Sequence, residues 1–323
     1  MLQGALNVLK VVLSLRENEK VLVITDEKKK EIGQTFCEAS EKLGASAKIY
    51  IIPEKLRPLK ELPKELNALI PNNDVIVNAF EGFAEETPFR IKLIKAEIAT
   101  TARVGHAPGI TKEMMLGAMG ADYQKIAENV DAVIKKFKNA EEVHITAPSG
   151  TDIVLNIAGR AFESDVKIKP STFGNLPAGE IWCAPVEDKA NGILVCDGSI
   201  GDLGRVKNKL RIEVRGGKIA ALESEDRALI DRVRELTSID DEASVIGELG
   251  IGLNPKAKLS GILLEDEKAG GTAHIAFGNN ENMPGGRNKS KTHRDFLFYK
   301  PTFEVRYKSG EKKIIIKDGT ISF

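Results

Sequence analysis

Short runs of valine and isoleucine alternate with charged, helix-patterned segments through the first 139 residues. The runs lie at residues 21–25, 48–52 and 74–80, and helices are predicted at about 28–43, 88–99 and 120–138. Parallel strands need long crossover connections, usually helices, so this alternation is typical of a parallel sheet covered by helices. The pattern predicts an N-terminal parallel α/β layered domain over residues 1–139. No GxGxxG follows these runs, so a dinucleotide site has no support.

The remainder of the chain has a different pattern, in which short runs are separated by tight turns. Strands are predicted at residues 142–146, 152–157, 192–198 and 207–214, with a closing hairpin of 304–307 and 313–316. A charged amphipathic helix is predicted at about 224–237. We therefore expect an α/β protein whose C-terminal domain, residues 140–323, is a β-rich α+β fold.

Charge and hydropathy argue against two classes of partner. Lys and Arg number 47, and Asp and Glu also number 47, whereas a nucleic-acid-binding protein usually has a basic excess. The apolar segment at residues 1–15 is interrupted by Lys10 and predicts an amphipathic first helix. No run approaches the roughly 20 apolar residues of a membrane span. We expect neither nucleic acid nor a membrane as a partner.

The three cysteines, Cys37, Cys183 and Cys196, are widely spaced and form no CxxC motif. Such spacing indicates neither a disulfide framework nor a thiolate zinc site. It fits a reducing compartment, so we expect a cytoplasmic protein. Cys183 and Cys196 lie in apolar surroundings and are interpreted as buried packing residues.

Candidate metal ligands concentrate in one part of the second half. Two of the four histidines, His274 and His293, lie in the chain's densest run of glycine, asparagine and acidic residues. Imidazole and carboxylate groups are ligands of Zn, Co and Mn, and glycine allows close approach of the backbone. His293 and Asp295 are two residues apart, so on an extended strand they point to one face and can hold one ion or two adjacent ions. His106 and His144 are interpreted as non-ligands.

Four motifs follow one another in this half. They are Asn-Leu-Pro-Ala-Gly-Glu-Ile-Trp-Cys-Ala-Pro-Val-Glu at 175–187, Gly-Glu-Leu-Gly-Ile-Gly at 247–252 with Asn-Pro at 254–255, Glu-Asp-Glu-Lys at 265–268 leading to Gly-Thr-Ala-His-Ile-Ala-Phe-Gly at 271–278, and His-Arg-Asp at 293–295. In order and approximate spacing they resemble the thermophilic aminopeptidase family M29, the aminopeptidase T and S type metallopeptidases. The resemblance covers most of residues 140–300.

The resemblance implies a metal-dependent aminopeptidase with two divalent ions per chain, of Zn, Co, Mn or Mg. Carried over motif by motif, the metal ligands are Glu180, Glu248, Glu267, His274, His293 and Asp295. Two ions about 3.5 to 4 Å apart need a bridging carboxylate and a bridging water that is nucleophilic at neutral pH. Glu248 is the expected bridge. Glu267 or Glu180 is the expected catalytic proton shuttle from this water to the leaving amine.

The resemblance also implies the substrate and the assembly. One ion is expected to bind the free amino group of a short peptide, and the other to polarise the scissile carbonyl. Family members pair as homodimers that enclose the active site and admit only short peptides. We therefore expect a homodimer that acts on short peptides.

One position departs from the family pattern. Family members carry a tyrosine shortly after the glycine that follows the first histidine, whereas here Gly278 precedes Asn-Asn-Glu-Asn and the next tyrosine is Tyr299. A hydroxyl at that position can stabilise the tetrahedral oxyanion. Arg287, Arg294 and Tyr299 are the candidates to replace it.

Two alternatives stay open at this point. His274, His293 and Asp295 alone form a two-His-one-carboxylate set for mononuclear Fe(II), and the ring-cleaving dihydroxypyridine dioxygenases are similar to the M29 family. A mononuclear iron site has no need of the three glutamates, so their presence favours two ions and hydrolysis. The other alternative is a non-peptidase hydrolase of the same fold, which the missing tyrosine would favour.

Overall fold

The structure is a computed structural model that describes residues 1–322 and contains two compact units. The first unit consists of residues 1–127 and 165–179, and the second consists of residues 128–164 and the chain from residue 180 onward. The chain therefore returns once to the first unit before it completes the second. The division into domains at residue 139 stays a prediction.

The described α-helices are Leu2–Asn7, Lys30–Lys42, Lys64–Leu69, Thr87–Ile98, Lys112–Leu116, Tyr123–Phe137, Arg227–Leu236 and Leu263–Asp266. A π-helical segment, Val8–Val12, continues the first helix and buries Val8, Leu9 and Val12. Within residues 1–322 no helix has both the length and the apolar character that crossing a membrane requires.

The first sheet belongs to the first unit, and all its strands are parallel. Its strands, in spatial order, are Ser46–Ile52, Lys20–Asp26, Val75–Ala79, Arg103–His106 and Thr172–Asn175. The second and third of these are buried along almost their whole length, as is usual for parallel strands covered on both faces. Helix Lys30–Lys42 buries Ile32, Phe36 and Ala39, which lie on one helical face. The predicted parallel α/β layer is confirmed.

An ion cluster occupies the carboxyl end of the first sheet where the strand order reverses. The Arg57 guanidinium contacts Asp26, which ends its strand, and lies 2.6 Å from Glu86 Oε2. It also lies over the ring of Phe83. Open α/β sheets usually bind ligands at this position. Here a buried arginine is paired with two buried carboxylates at this position.

A second buried polar cluster in the first unit contains Asn78, Glu97 and His106. Asn78 Nδ2 lies 3.0 Å from Glu97 Oε2 and 3.1 Å from His106 Nδ1. Burial raises the pKa of Glu97 to about 8, although the hydrogen bond from Asn78 opposes the shift. Burial and the charge of Arg90 lower the pKa of His106 to about 3. Both groups are therefore mostly uncharged at neutral pH.

Glu97 is expected to make the protein less stable as the pH rises from 6.5 to 8. Well below pH 8 the unfolded glutamate is ionised while the folded one keeps its proton, so the free energy of unfolding falls by about 1.4 kcal/mol per pH unit, and this slope lessens as the pH approaches 8. His106 has the opposite effect on stability. As the pH falls below about 6.5 its unfolded form gains a proton and its folded form does not, so the free energy of unfolding falls. Glu97→Gln is expected to raise Tm more at pH 8 than at pH 5.5, as measured by thermal unfolding. The exposed control Glu38→Gln should leave the slope unchanged, and parallel pH slopes for wild type and Glu97→Gln would contradict this account.

The second unit contains two antiparallel sheets. The second sheet has the order Lys218–Glu223, Leu210–Arg215, Ala190–Cys196, Asp152–Asn156, Ala140–Thr146, Thr302–Tyr307, Lys312–Lys317 and Thr320–Ile321. The third sheet has the order Gly204–Arg205, Ser199–Ile200, His293–Tyr299, Thr272–Gly278, Ile246–Gly252, Glu180–Cys183 and Glu163–Ser164. Within the second sheet, Thr302–Tyr307 pairs with Lys312–Lys317, which is the predicted closing hairpin. The mixed α/β fold class is confirmed.

The two central strands of the third sheet, Ile246–Gly252 and Thr272–Gly278, are buried at every residue. Polar side chains on these strands are therefore held away from bulk water, where they need charged or hydrogen-bonding partners. The helix predicted at 224–237 is also present. It begins at Arg227 because the Asp226 carboxylate caps it, accepting a hydrogen bond from Leu229 N at 3.0 Å.

Candidate metal centre

Antiparallel pairing in the third sheet brings three of the expected ligands to one face. Residues directly opposite each other on neighbouring strands point to the same side. Glu248 lies opposite Ala276, and Ala276 lies opposite Asp295. His293 lies opposite Gly278 and shares the face of Asp295, as their spacing predicts. The small side chain of Ala276 leaves room for the two carboxylates to converge above it.

The next two rows of the same face supply His274 and Glu180. Gly250 lies opposite His274 on one side and Trp182 on the other, and Gly252 lies opposite Glu180. A Cβ atom on Gly250 would lie 1.9 Å from His274 Nε2. The imidazole therefore lies directly over Gly250, in space that a larger residue would fill.

The Glu248 carboxylate divides its two oxygens between the histidines. Oε1 lies 3.4 Å from His274 Nε2, and Oε2 lies 3.1 Å from His293 Nε2. Asp295 Oδ1 lies 3.3 Å from His293 Nε2, and Glu180 Oε2 lies 3.8 Å from His274 Nε2. Each imidazole thus faces one oxygen of Glu248 and one further carboxylate.

These groups are close enough to share a cation and differ in their exposure. Ligand atoms of Glu248, His274 and Asp295 all lie within 4.8 Å of one another. Their side chains are at most 8% exposed, whereas that of His293 is 31% exposed. The cluster is therefore most open to solvent on the side of His293.

A buried lysine is joined to two of the expected site residues. Lys268 Nζ contacts Glu180 Oε1 and lies 2.8 Å from Glu267 Oε2. Glu180 therefore has one oxygen on the lysine and the other toward His274. The six expected residues form one connected group, in which Glu267 joins the others through Lys268.

One side-chain and one backbone hydrogen bond hold the segment that carries Glu267 and Lys268. Asp266 Oδ1 accepts a hydrogen bond from Ser260 N at 2.6 Å. Asn254 N donates to the carbonyl of Lys268 at 2.9 Å. The two charged side chains therefore extend from a backbone that is held on both sides.

The His293 ring is oriented by the backbone of the loop before its strand. Its Nδ1 lies 2.7 Å from the carbonyl oxygen of Asn279, and Asn279 N donates to the carbonyl of Thr292 at 2.7 Å. A proton on Nδ1 leaves Nε2 directed at Glu248 and Asp295. Metal-binding histidines commonly have this arrangement, in which a carbonyl fixes the tautomer and the ring plane.

Protons on the two imidazoles offset part of the negative charge of the cluster. Burial opposes ionisation of Glu248, but hydrogen bonds from His274 and His293 outweigh it and hold the Glu248 pKa well below its ordinary value. Burial likewise opposes protonation of His274, yet Glu248 and Asp295 raise its pKa to about 9. The pKa of His293 is raised well above its ordinary value despite burial, chiefly by Asp295. A divalent cation would supply the same positive charge, so this donor set fits a metal.

A family model described as thermophilic metalloprotease (M29) matches residues 118–321. The chain belongs to the M29 family. It is therefore a metal-dependent peptide hydrolase, and the resemblance noted in the sequence is confirmed. No curated protein matches its sequence.

Two solved structures have the same fold as this M29 chain. "Wild-type AmpT from Thermus thermophilus" has a TM-score of 0.75 and 16% identity, and the match covers 100% of this chain and 99% of that one. The 2,5-dihydroxypyridine dioxygenase from Pseudomonas putida KT2440 has a TM-score of 0.74 and 18% identity, over 99% of this chain and 96% of that one. At such identities the likeness concerns the fold alone.

The candidates to replace the M29 tyrosine were Arg287, Arg294 and Tyr299. The two arginines pair with other carboxylates, and Tyr299 lies at the other end of its strand. Arg294 Nη1 lies 2.6 Å from Asp202 Oδ2, and strand alternation places it on the opposite face from its two neighbours. Arg287 is 72% exposed and lies 3.4 Å from Glu187. Tyr299 is at the far end of its strand. Their proposed part in oxyanion stabilisation receives no support from these positions.

The other two histidines and two of the cysteines were interpreted from the sequence as non-ligands and as packing residues. His144 Nε2 pairs with Asp152 at 2.7 Å, with both side chains exposed, and His106 belongs to the first unit. Cys183 and Cys196 are fully buried, as expected, and burial raises the pKa of Cys196 to about 12. These positions agree with non-ligand and packing roles.

Two residues of the site were missed by sequence reasoning, Lys268 and Gly250. Lys268 follows the acidic run at 265–267, where a lysine normally indicates a solvated surface. Gly250 is one of many glycines, and only strand pairing shows that His274 lies over it. Both residues lie within the four motifs described above, and these motifs were the sequence signal that could have identified them.

Proposed function

We propose that this M29 chain is an aminopeptidase that removes the N-terminal residue of short peptides and holds two divalent ions, of Zn, Co, Mn or Mg. The observation that carries the proposal is the position of Glu248, with one carboxylate oxygen toward each of His274 and His293. A carboxylate placed in this way suits two adjacent ions. Glu180 is then the further ligand on the His274 side, and Asp295 is the further ligand on the His293 side.

Two bound divalent ions supply Lewis acidity toward a carbonyl and lower the pKa of water toward neutrality. The chain's own part is to fix the donors. Glu248, Glu180 and Asp295 are nearly buried, so their carboxylates keep one orientation and compensate the cationic charge. The concentration of carboxylates also attracts the positively charged amino terminus of a peptide.

Glu267 is the proposed proton shuttle. Its side chain is 15% exposed, against 8% for Glu180, the other candidate, which also faces His274. Burial raises the pKa of Glu267 above its ordinary value; Lys268 opposes this shift and Asp295 adds to it. A carboxyl group shifted toward the working pH can accept a proton and pass it to a leaving amine. Glu267 was also expected as a metal ligand; it joins the cluster through Lys268, whereas Glu180 has its second oxygen toward His274, and this difference favours the shuttle role for Glu267.

The assembly and location of the protein are proposed on other grounds. A homodimer that encloses the site and restricts substrates to short peptides follows from the family resemblance. A cytoplasmic location is favoured by the three cysteines, all of which are free. Both proposals are independent of the metal chemistry.

The dioxygenase remains the second candidate, because His274, His293 and Asp295 lie on one face and the fold is also that of a dihydroxypyridine dioxygenase. A single Fe(II) bound by these three residues would leave Glu180 and Glu248 as buried carboxylates with no part in the chemistry. Burial of a carboxylate that takes no part in the chemistry costs free energy, because the charge loses its hydration. We therefore favour hydrolysis.

Peptides with free and blocked amino termini test the proposed activity. After loading with Co²⁺ or Zn²⁺, the chain is expected to release leucine from Leu-Gly and methionine from Met-Gly. N-acetyl-Leu-Gly should be cleaved at least about 100-fold more slowly, because it lacks the amino group that orients the substrate. Equal cleavage of both forms would contradict an aminopeptidase. Consumption of O₂ with 2,5-dihydroxypyridine by the Fe(II)-loaded chain, and no amino acid released by the Co²⁺- or Zn²⁺-loaded chain, would establish the dioxygenase.

A further inference from the structure

Lys268 is the most unusual charged residue of the second unit. Its side chain is 0% exposed, yet it ends within the acidic cluster, in contact with Glu180 and 2.8 Å from Glu267. Lysine is almost never fully buried unless it is paired. Two of its partners are the glutamates for which the sequence left the proton-shuttle role open.

The burial of Lys268 excludes direct contact with a substrate, so any effect it has must pass through its neighbours. Its ammonium group cancels one of the four negative charges of Glu180, Glu248, Glu267 and Asp295. Because it binds one oxygen of Glu180, it directs the other toward His274, where the distance from Oε2 to Nε2 is 3.8 Å. The same ammonium group also contacts Glu267, the more exposed of the two glutamates.

We propose that Lys268 is a positioning residue for the peptidase reaction, which holds Glu180 toward His274 and Glu267 toward the substrate side. This inference rests on the proposed aminopeptidase function and deepens it. The lysine fixes the distance between a metal ligand and the proton shuttle. The backbone hydrogen bond from Asn254 N to the Lys268 carbonyl gives it a fixed base from which to do so.

Such a role predicts a separation between turnover and binding. Lys268→Met keeps most of the length of the side chain and removes its charged end. It is expected to lower kcat by about 100-fold or more, the usual range for a general acid–base that loses its orientation. KM should change by less than about threefold, because the lysine does not touch substrate.

Removal of the Lys268 charge should raise the affinity for a metal ion, whereas removal of a merely structural residue should lower it. Removal of a cation from an acidic cluster strengthens its attraction for another cation. Co²⁺ titrated into the metal-free full-length variant is therefore expected to bind about tenfold more tightly than in wild type. A lysine that only supported the fold would, when removed, weaken Co²⁺ binding.

A double variant guards against loss of folding. Lys268→Met leaves two buried carboxylates without their cation. The double variant Glu267→Gln/Lys268→Met removes one charge of each sign. It is measured together with the single variants Lys268→Met and Glu267→Gln. The double variant should have a kcat within about tenfold of that of Glu267→Gln, because residues that act through each other are not additive. Lys313→Met, at an exposed position on the second sheet, is the matched control.

The outcomes separate this inference from the proposed function. A kcat within threefold of wild type for Lys268→Met, multiplicative losses in the double variant, or Co²⁺ binding weakened by tenfold or more would each overturn the positioning role. If wild type releases no amino acid from Leu-Gly, the proposed function fails on its own. The positioning role fails with it as a statement about turnover, while tighter Co²⁺ binding would still support the lysine as the fixed cation that holds Glu180 and Glu267.

Discussion

Replacement of Glu248 by glutamine is expected to lower kcat/KM for Leu-Gly by more than about 1000-fold, beyond the 10- to 100-fold that losing an outer partner of a metal ligand costs. The carboxylate has one oxygen 3.4 Å from His274 and the other 3.1 Å from His293. An amide keeps the volume but offers a single neutral oxygen, so it cannot compensate two cations. Steady-state kinetics with a fixed Co²⁺ concentration would measure the loss.

The control for this substitution is Glu311→Gln, which makes the same chemical change at an exposed position in the second unit. It should retain wild-type kcat/KM. A loss of less than tenfold for Glu248→Gln in a folded protein would show that Glu248 is not a shared ligand, and would redirect attention to His274, His293 and Asp295.

Gly250→Ala is expected to have the second largest effect, a loss of roughly 100-fold or more in kcat/KM. The added Cβ would lie 1.9 Å from His274 Nε2 and 2.1 Å from Cε1, far inside contact distance. The strand is buried at every residue, so the imidazole, and not the backbone, has to move. Displacement of Nε2 from Glu248 removes a donor from the cluster, so Co²⁺ affinity should fall together with activity.

Gly120→Ala provides the control, because an added Cβ there would meet no atom within 4 Å. It should change neither Co²⁺ affinity nor kcat. The contrary result for Gly250→Ala would be a Co²⁺ affinity equal to that of wild type, which would mean that the His274 ring does not need the space over the glycine.

Much of the fold could be predicted from the sequence because local patterns determine it. The runs at 21–25 and 74–80 are strongly apolar and β-branched, and they form the buried centre of the parallel sheet. Strand Thr172–Asn175 was not predicted, since its pairing with Arg103–His106 joins segments far apart in the chain. A short strand with an exposed phenylalanine, Phe173, carries too weak a periodicity to be recognised alone.

The candidate site was predictable to the extent that motifs bring ligand types together. The two-residue spacing of His293 and Asp295 correctly places them on one face. The division of Glu248 between His274 and His293 depends on the register of three strands, which spacing along the chain does not determine. The same holds for Gly250, whose importance arises from the residue opposite it.

Lys268 illustrates a further limit of sequence reasoning. A lysine beside three acidic residues is read as part of a solvated surface, because an exposed head group has the lower energy. Here the loop turns the side chain inward, where Glu180 and Glu267 compensate its charge. Burial of a charge depends on tertiary partners and leaves no local mark in the sequence.

The central claim is that Glu248 holds two divalent ions. The most direct measurement is the metal content per chain by elemental analysis, in wild type and in Glu248→Gln. Release of leucine from Leu-Gly is assayed on the same samples. We expect two ions per wild-type chain together with release of leucine, and in Glu248→Gln the loss of the two-ion content and of leucine release. One iron per chain without release of leucine would contradict it and identify the protein as an oxygenase of the same fold.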